Sequence, residues 1–112
     1  MQKRPVKIND PAVRDTLGRL DAFSRMLSRR LDELGRSLDA PPGDTARVDC
    51  TVAAIEAEVA MGLVESASYE LSLRLLTHGV MRDAAKDIAP RRAKFAAVTG
   101  RFESVFGAIP RA

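Results

Sequence analysis

From Val13 to Leu38 the chain repeats a seam at alternating steps of four and three residues: Val13, Leu17, Leu20, Ser24, Leu27, Leu31, Leu34 and Leu38. Every member except Ser24 is apolar. A repeat averaging 3.5 residues draws one stripe down a helix and matches no extended strand. Phe23 and Met26 widen the stripe on one side. The segment opens with Asp10-Pro11, an N-cap residue followed by the residue favoured at the first helical position. It closes at Ala40-Pro41-Pro42-Gly43, because proline cannot continue a helix and pushes the residue before it out of the α region. These signals predict a helix over 11–39.

A second helix restarts at Asp44 or Thr45. One seam runs Val48, Val52, Ile55, Val59, Gly62, Ser66, Tyr69, Leu73, Leu76 and Val80, again in steps of four and three. The short Pro-Pro-Gly turn makes the two helices antiparallel neighbours. Setting Leu38 opposite Val48 places Leu34 against Val52, Leu31 against Ile55, Leu27 against Val59 and Leu17 against Tyr69. In that register the weak position Ser24 meets Gly62. A second seam, Ala46, Cys50, Ala53, Ala57, Ala60, Val64, Ala67 and Leu71, lies about 150° around the same helix by the 3.6-residue period. Glutamates Glu56, Glu58, Glu65 and Glu70 fall between the two seams. A helix apolar on two nearly opposite faces is buried on both.

Thr77-His78-Gly79 marks an end or a bend, and the apolar pattern resumes through Ile88, so the second helix spans 45–77 or extends to 88. Pro90 reads as a break. A third, shorter helix is expected over about 91–108, with Phe95, Val98, Phe102, Val105, Phe106 and Ile109 as its stripe. The expected fold class is therefore all-α: a long antiparallel helical hairpin plus a C-terminal helix. A basic tail, 1–9, precedes a single helical domain over 10–112.

Several classes of chemistry lack their residues. One Cys excludes an internal disulfide framework, and one Cys with one His cannot supply the roughly four ligands of a Cys/His zinc site. His78 has no partner at metal-ligand spacing and reads as structural, and Cys50 reads as a small buried hydrophobe. There is no Gly-rich phosphate loop. The glutamates have no proton-transfer companion and read as a solvated face. The expectation is a non-enzymatic protein with no cofactor and no metal. No apolar run approaches the roughly 20 residues of a membrane span, and residues 1–10 lack the apolar core of a signal peptide. The location expected from these features and a single thiol is cytoplasmic, with no membrane partner.

The formal net charge is +3, but it is unevenly spread. The stretch 41–73 holds one basic and six acidic residues, between two basic ends. Opposite charge in successive segments favours pairing between them. A 112-residue chain with 4% aromatic content has a marginal core as a monomer, and oligomerisation is a common remedy.

A third helix starting at Arg91 and folded back reaches only to about Tyr69, leaving most of the alanine seam uncovered. Ala46, Cys50, Ala53, Ala57, Ala60, Val64, Ala67 and Leu71 are therefore expected to form an oligomer or partner interface. Arg25, Arg29, Arg91, Arg92 and Lys94 stand out as contacts for an anion or an acidic partner, since cations at a helix start are locally disfavoured. The function expected is a small helical interaction subunit. It self-associates, coiled-coil fashion, and serves as an adaptor, chaperone-like or accessory component of a larger protein assembly. The alternative is a nucleic-acid-binding accessory protein in which a helical oligomer sums two basic patches. Few rings for base stacking and no helix-turn-helix or zinc-finger spacing weigh against it. A helical enzyme holding an anionic metabolite at Arg25 or Arg91-Arg92 is a third class.

Overall fold

A computed structural model describes residues 9–107, and the chain is all-α over that range. The basic cluster Lys3-Arg4-Lys7 and the terminal Ile109-Pro110 lie outside the described residues. Helix α1 spans Pro11–Asp39, α2 spans Ala46–Thr77 and α3 spans Ala84–Phe106. Helices α1 and α2 form the expected hairpin, and α3 folds back along it. The result is a rod of 60 × 26 × 23 Å. Its radius of gyration is 17.4 Å, against about 13 Å for a compact domain of this length.

The ends of α1 follow the sequence signals. The Asp10 carboxylate accepts from the Ala12 amide at 2.9 Å, and Pro11 sits at the first helical position. Ala40, held extended by Pro41, ends the helix. At the other end of the hairpin α2 stops at Thr77. Gly79 takes φ 76°, its amide donates to the Leu76 carbonyl, and the Val80 amide donates to the Leu75 carbonyl. This is a Schellman stop, in which a left-handed residue lets the chain satisfy the last free carbonyls. Val80 then packs on the core. So the second helix neither bends nor runs on to 88.

The third helix departs from the sequence reading. It starts seven residues earlier than 91, at Ala84, where the Asp83 carboxylate caps the Ala85 amide at 3.0 Å. Pro90 lies inside the helix rather than breaking it. Proline lacks an N–H, so the Lys86 carbonyl loses its intrahelical donor. On the next residue, the Arg91 guanidinium donates to the Asp87 carbonyl at 2.7 Å. At 23 residues, α3 is about 34 Å long and carries Phe102 to Cys50 and Ala54 near the opposite end of the rod.

That length explains which face of α2 turns inward. The axial register of the hairpin is the expected one: Thr16 reaches Glu70 and Arg30 reaches Glu56, the levels of the Leu17–Tyr69 and Leu31–Ile55 pairings. The rotation about the α2 axis is not. The alanine face points inward, and the valine-leucine face points out. Leucines of α1 (Leu20, Leu27, Leu31) meet Ala57, Ala60, Val64 and Ala67, and Ile88, Phe95 and Val98 of α3 join the same core. A second cluster, Leu34, Cys50, Ala54 and Phe102, closes the far end, where Phe102 and Phe106 stack tilted at 5.5 Å. Small residues let two neighbours approach α2 at the short end of the 8–10 Å packing range, so large side chains of α1 and α3 fill holes instead of colliding.

Candidate functional site

Among the described residues, two surfaces stand out from this packing. The first is the outer face of α2. Val48, Val52, Ile55, Val59, Tyr69, Leu73 and Leu76 are all between 41% and 67% exposed. With Gly62 and Ser66, also exposed, they keep the steps of four and three along about 42 Å of helix. The sequence reading assigned this seam to the core with α1 and assigned the alanine seam to an interface. Burial reverses both. Cys50, Ala57, Ala60, Val64, Ala67 and Leu71 are each no more than 3% exposed, enclosed by α1 and α3 of the same chain, while Ala46 and Ala53 are half-buried. An intermolecular contact through them requires the bundle to open. Cys50 is sealed in the same core, where burial, and then the neighbouring Asp49 charge, raise its thiol pKa.

The glutamates that flank the outer face are tied to neighbouring helices. Arg30 of α1 holds Glu56 at 2.6 Å, and Arg92 of α3 holds Glu65 at 3.1 Å. Glu70 accepts from Arg19 at 2.5 Å and from the Thr16 hydroxyl at 3.2 Å. Partial burial pushes the Glu70 carboxyl up, but Arg19, Thr16 and Arg74 together outweigh it and hold the pKa below the ordinary value. The expected pairing of the acidic middle with the basic ends is thus present inside the chain. Glu58 makes no ion pair among the described residues.

The second surface is the groove between α1 and α3, on the side of the bundle away from the outer face of α2. These two helices touch only sparingly. Four of the five cations singled out in the sequence converge there: Arg25, Arg29, Arg91 and Lys94. Arg36 joins them; its place two turns beyond Arg29 on the same helix was the readable signal. Arg92 does not belong to this group, since it faces Glu65 on α2. The groove forms an open cavity of about 510 Å³. Lys94 meets Asp32 at 3.5 Å, and Arg91 donates to the Ser24 hydroxyl at 3.0 Å.

His78 is at the end of the hairpin, with Nε2 3.0 Å from the Asp10 carboxylate, so it clasps the start of α1 to the end of α2. That contact, with the Ala12 amide, lowers the pKa of Asp10. Among the described residues no group of three or more His, Cys, Asp or Glu is gathered as a metal site would require. None of the described helices is long and apolar enough to cross a membrane.

Fold and surfaces together define an elongated three-helix bundle with one unpartnered apolar face and one basic groove. Comparison of the chain with protein-family models, curated proteins and solved structures finds no match.

Proposed function

We propose that the chain is a small, non-enzymatic helical interaction subunit that self-associates through the outer face of α2 and serves as an adaptor or accessory component of a protein assembly. The carrying observation is the stripe of seven large exposed apolar side chains at heptad spacing. A standard interface takes about 800 Å² from each partner, and seven half-exposed side chains of this size supply most of that. The stripe is also self-complementary. Gly62 and Ser66 lie at its middle, β-branched residues on one side and larger ones on the other. An antiparallel copy related by a two-fold axis between Gly62 and Ser66 sets Val52 against Leu76, Ile55 against Leu73 and Val59 against Tyr69. Each contact then occurs twice, as an isologous dimer requires. The small central pair lets the helices approach. Arg30, Arg92 and Arg19 shield three of the four flanking glutamates, Glu58 being the exception, so the copies do not meet as rows of bare carboxylates.

Light scattering at low and high salt tests this reading. The expected result is a dimer or larger species whose mass is insensitive to salt, because apolar burial and not charge holds it. Val59→Glu is expected to give a monomer with unchanged helical circular dichroism. A wild-type monomer at micromolar to millimolar concentration overturns the proposal.

A further inference from the structure

We infer that the groove between α1 and α3 binds an acidic helical segment of a partner protein. Elsewhere in the bundle most arginines are matched: Arg19, Arg30, Arg74, Arg82, Arg92 and Arg101 each meet a carboxylate, while Arg14 and Arg47 stand singly on the exposed surface. In the groove they are not. Arg25, Arg29, Arg36, Arg91 and Lys94 line the basic cavity with one carboxylate, Asp32, which Lys94 already engages; Arg36 also borders Glu33, Asp49 and Glu56 on the α2 side without an ion pair to them among the described residues. Arg25 has Asp21 at 3.1 Å, an exposed pair of little strength. Arg29 and Arg36 make no ion pair among the described residues, and Arg91 gives its donors to neutral oxygens of Ser24 and Asp87. Five cations against Asp32 and Asp21 leave the trough with a marked excess of positive charge. Unmatched guanidinium groups in a cleft raise the local concentration of anions and favour planar carboxylates or phosphates.

The shape of the groove selects among anions. Through Ser24 and Arg91 the basic cavity continues into a second of about 400 Å³, bounded by Leu17, Gly18, Leu20 and Asp21. A Cβ built on Gly18 would meet nothing within 4 Å, so this end is open. From Leu17 to Arg36 the trough runs about 28 Å along α1. A helix of some 18 residues fills that length and makes a fourth member of the bundle. Its complement is an apolar turn beside the half-exposed Leu17 and carboxylates spaced four and seven residues apart, opposite Arg25, Arg29 and Arg36. No aromatic ring lines either cavity, so bases find no stacking platform. In the antiparallel dimer the two grooves face away from each other and do not sum into one basic surface. The inference does not depend on self-association, because the groove and the outer face of α2 lie on different sides of the bundle.

The test uses a fluorescent 18-residue helical peptide with leucines in its first turn and glutamates at the four- and seven-residue spacing. A scrambled peptide of equal composition, inorganic polyphosphate and duplex DNA serve as competitors. Anisotropy is expected to show saturable binding to the full chain, weakening with salt, and about tenfold tighter than for the scrambled peptide. The double variant Arg29→Ser, Arg36→Ser is expected to lose about tenfold in affinity with its helical content and mass unchanged. Arg47→Ser, an exposed cation on α2, is expected to change nothing. Equal binding of the scrambled peptide, an equal loss in Arg47→Ser, or tighter binding of polyphosphate or DNA overturns the inference.

Discussion

The two faces of α2 invert the usual hydrophobic ordering. Ala57 and Ala60 are fully buried, whereas Val59 and Leu73, far more apolar, are 59% and 67% exposed. Both faces carry the same heptad spacing, so spacing alone does not say which turns inward. The difference is volume. The inner face must accept leucines of α1 and the Ile88, Val98 and Phe102 stripe of α3 along one helix, and its small residues Cys50, Ala54, Ala57, Ala60 and Ala67 leave room for both. The outer face is free to be large because nothing within the described chain has to fit against it.

Adjacent residues offer the sharpest way to break this comparison. Ala60→Glu places a carboxylate in a dry, filled site and is expected to destabilise the chain by about 3–5 kcal/mol or more, enough to melt most of its helix. Val59→Glu, one residue earlier, is expected to stay within about 0.5 kcal/mol for the monomer, measured by urea unfolding at a concentration where the copies are apart. Similar losses in the two variants would mean that the faces are not distinguished as described. Next in size, Leu31→Ala removes a leucine that is 1% exposed and is expected to cost about 2–5 kcal/mol. A cost below about 1 kcal/mol would mean that α1 does not fill the α2 holes.

Ser68 sharpens the comparison from the opposite direction. It is 2% exposed on the inner face, and its hydroxyl has no partner among the described residues. Ser68→Ala matches the alanine character of that face and removes a buried polar group, so a gain of about 1 kcal/mol is expected in the same unfolding experiment. The smallest effect is electrostatic. Asp10, Glu70 and Asp87 all have their pKa lowered in the folded chain, Asp87 through hydrogen bonds from the Arg82 guanidinium. The folded state then binds fewer protons than the unfolded one. The stability these groups contribute is present above about pH 4 and is lost as pH falls through their folded values. A modest drop in melting temperature between pH 5 and pH 3 is expected, shallower in Glu70→Gln.

Much of the fold was legible in the sequence. Asp10-Pro11, Pro41-Pro42 and the leucine heptads declared α1 and the hairpin, and the short turn that sets Leu38 opposite Val48 gave the axial register. Pro90 is where the reading failed. A break at Pro90 sets the fold-back there and stops α3 near Tyr69, whereas the chain turns after Thr77, so that Phe95, Val98 and Phe102 reach down the alanine seam to Cys50. The alanine seam, expected to be an interface, is core. Asp83 carried the overlooked signal, since an N-cap seven residues before a proline allows the helix to form its first turns and pass through. Four of the five cations assigned to an anion contact do converge. Arg92 does not, because the acidic flank of α2 draws it away.

The sequence by itself determined the elements, their antiparallel order and their level along the rod, because these follow from local period, caps and turn length. Only the tertiary structure decided the rotation of α2 about its axis. That choice depends on the volumes of side chains arriving from two other helices at once, a property that no single segment contains.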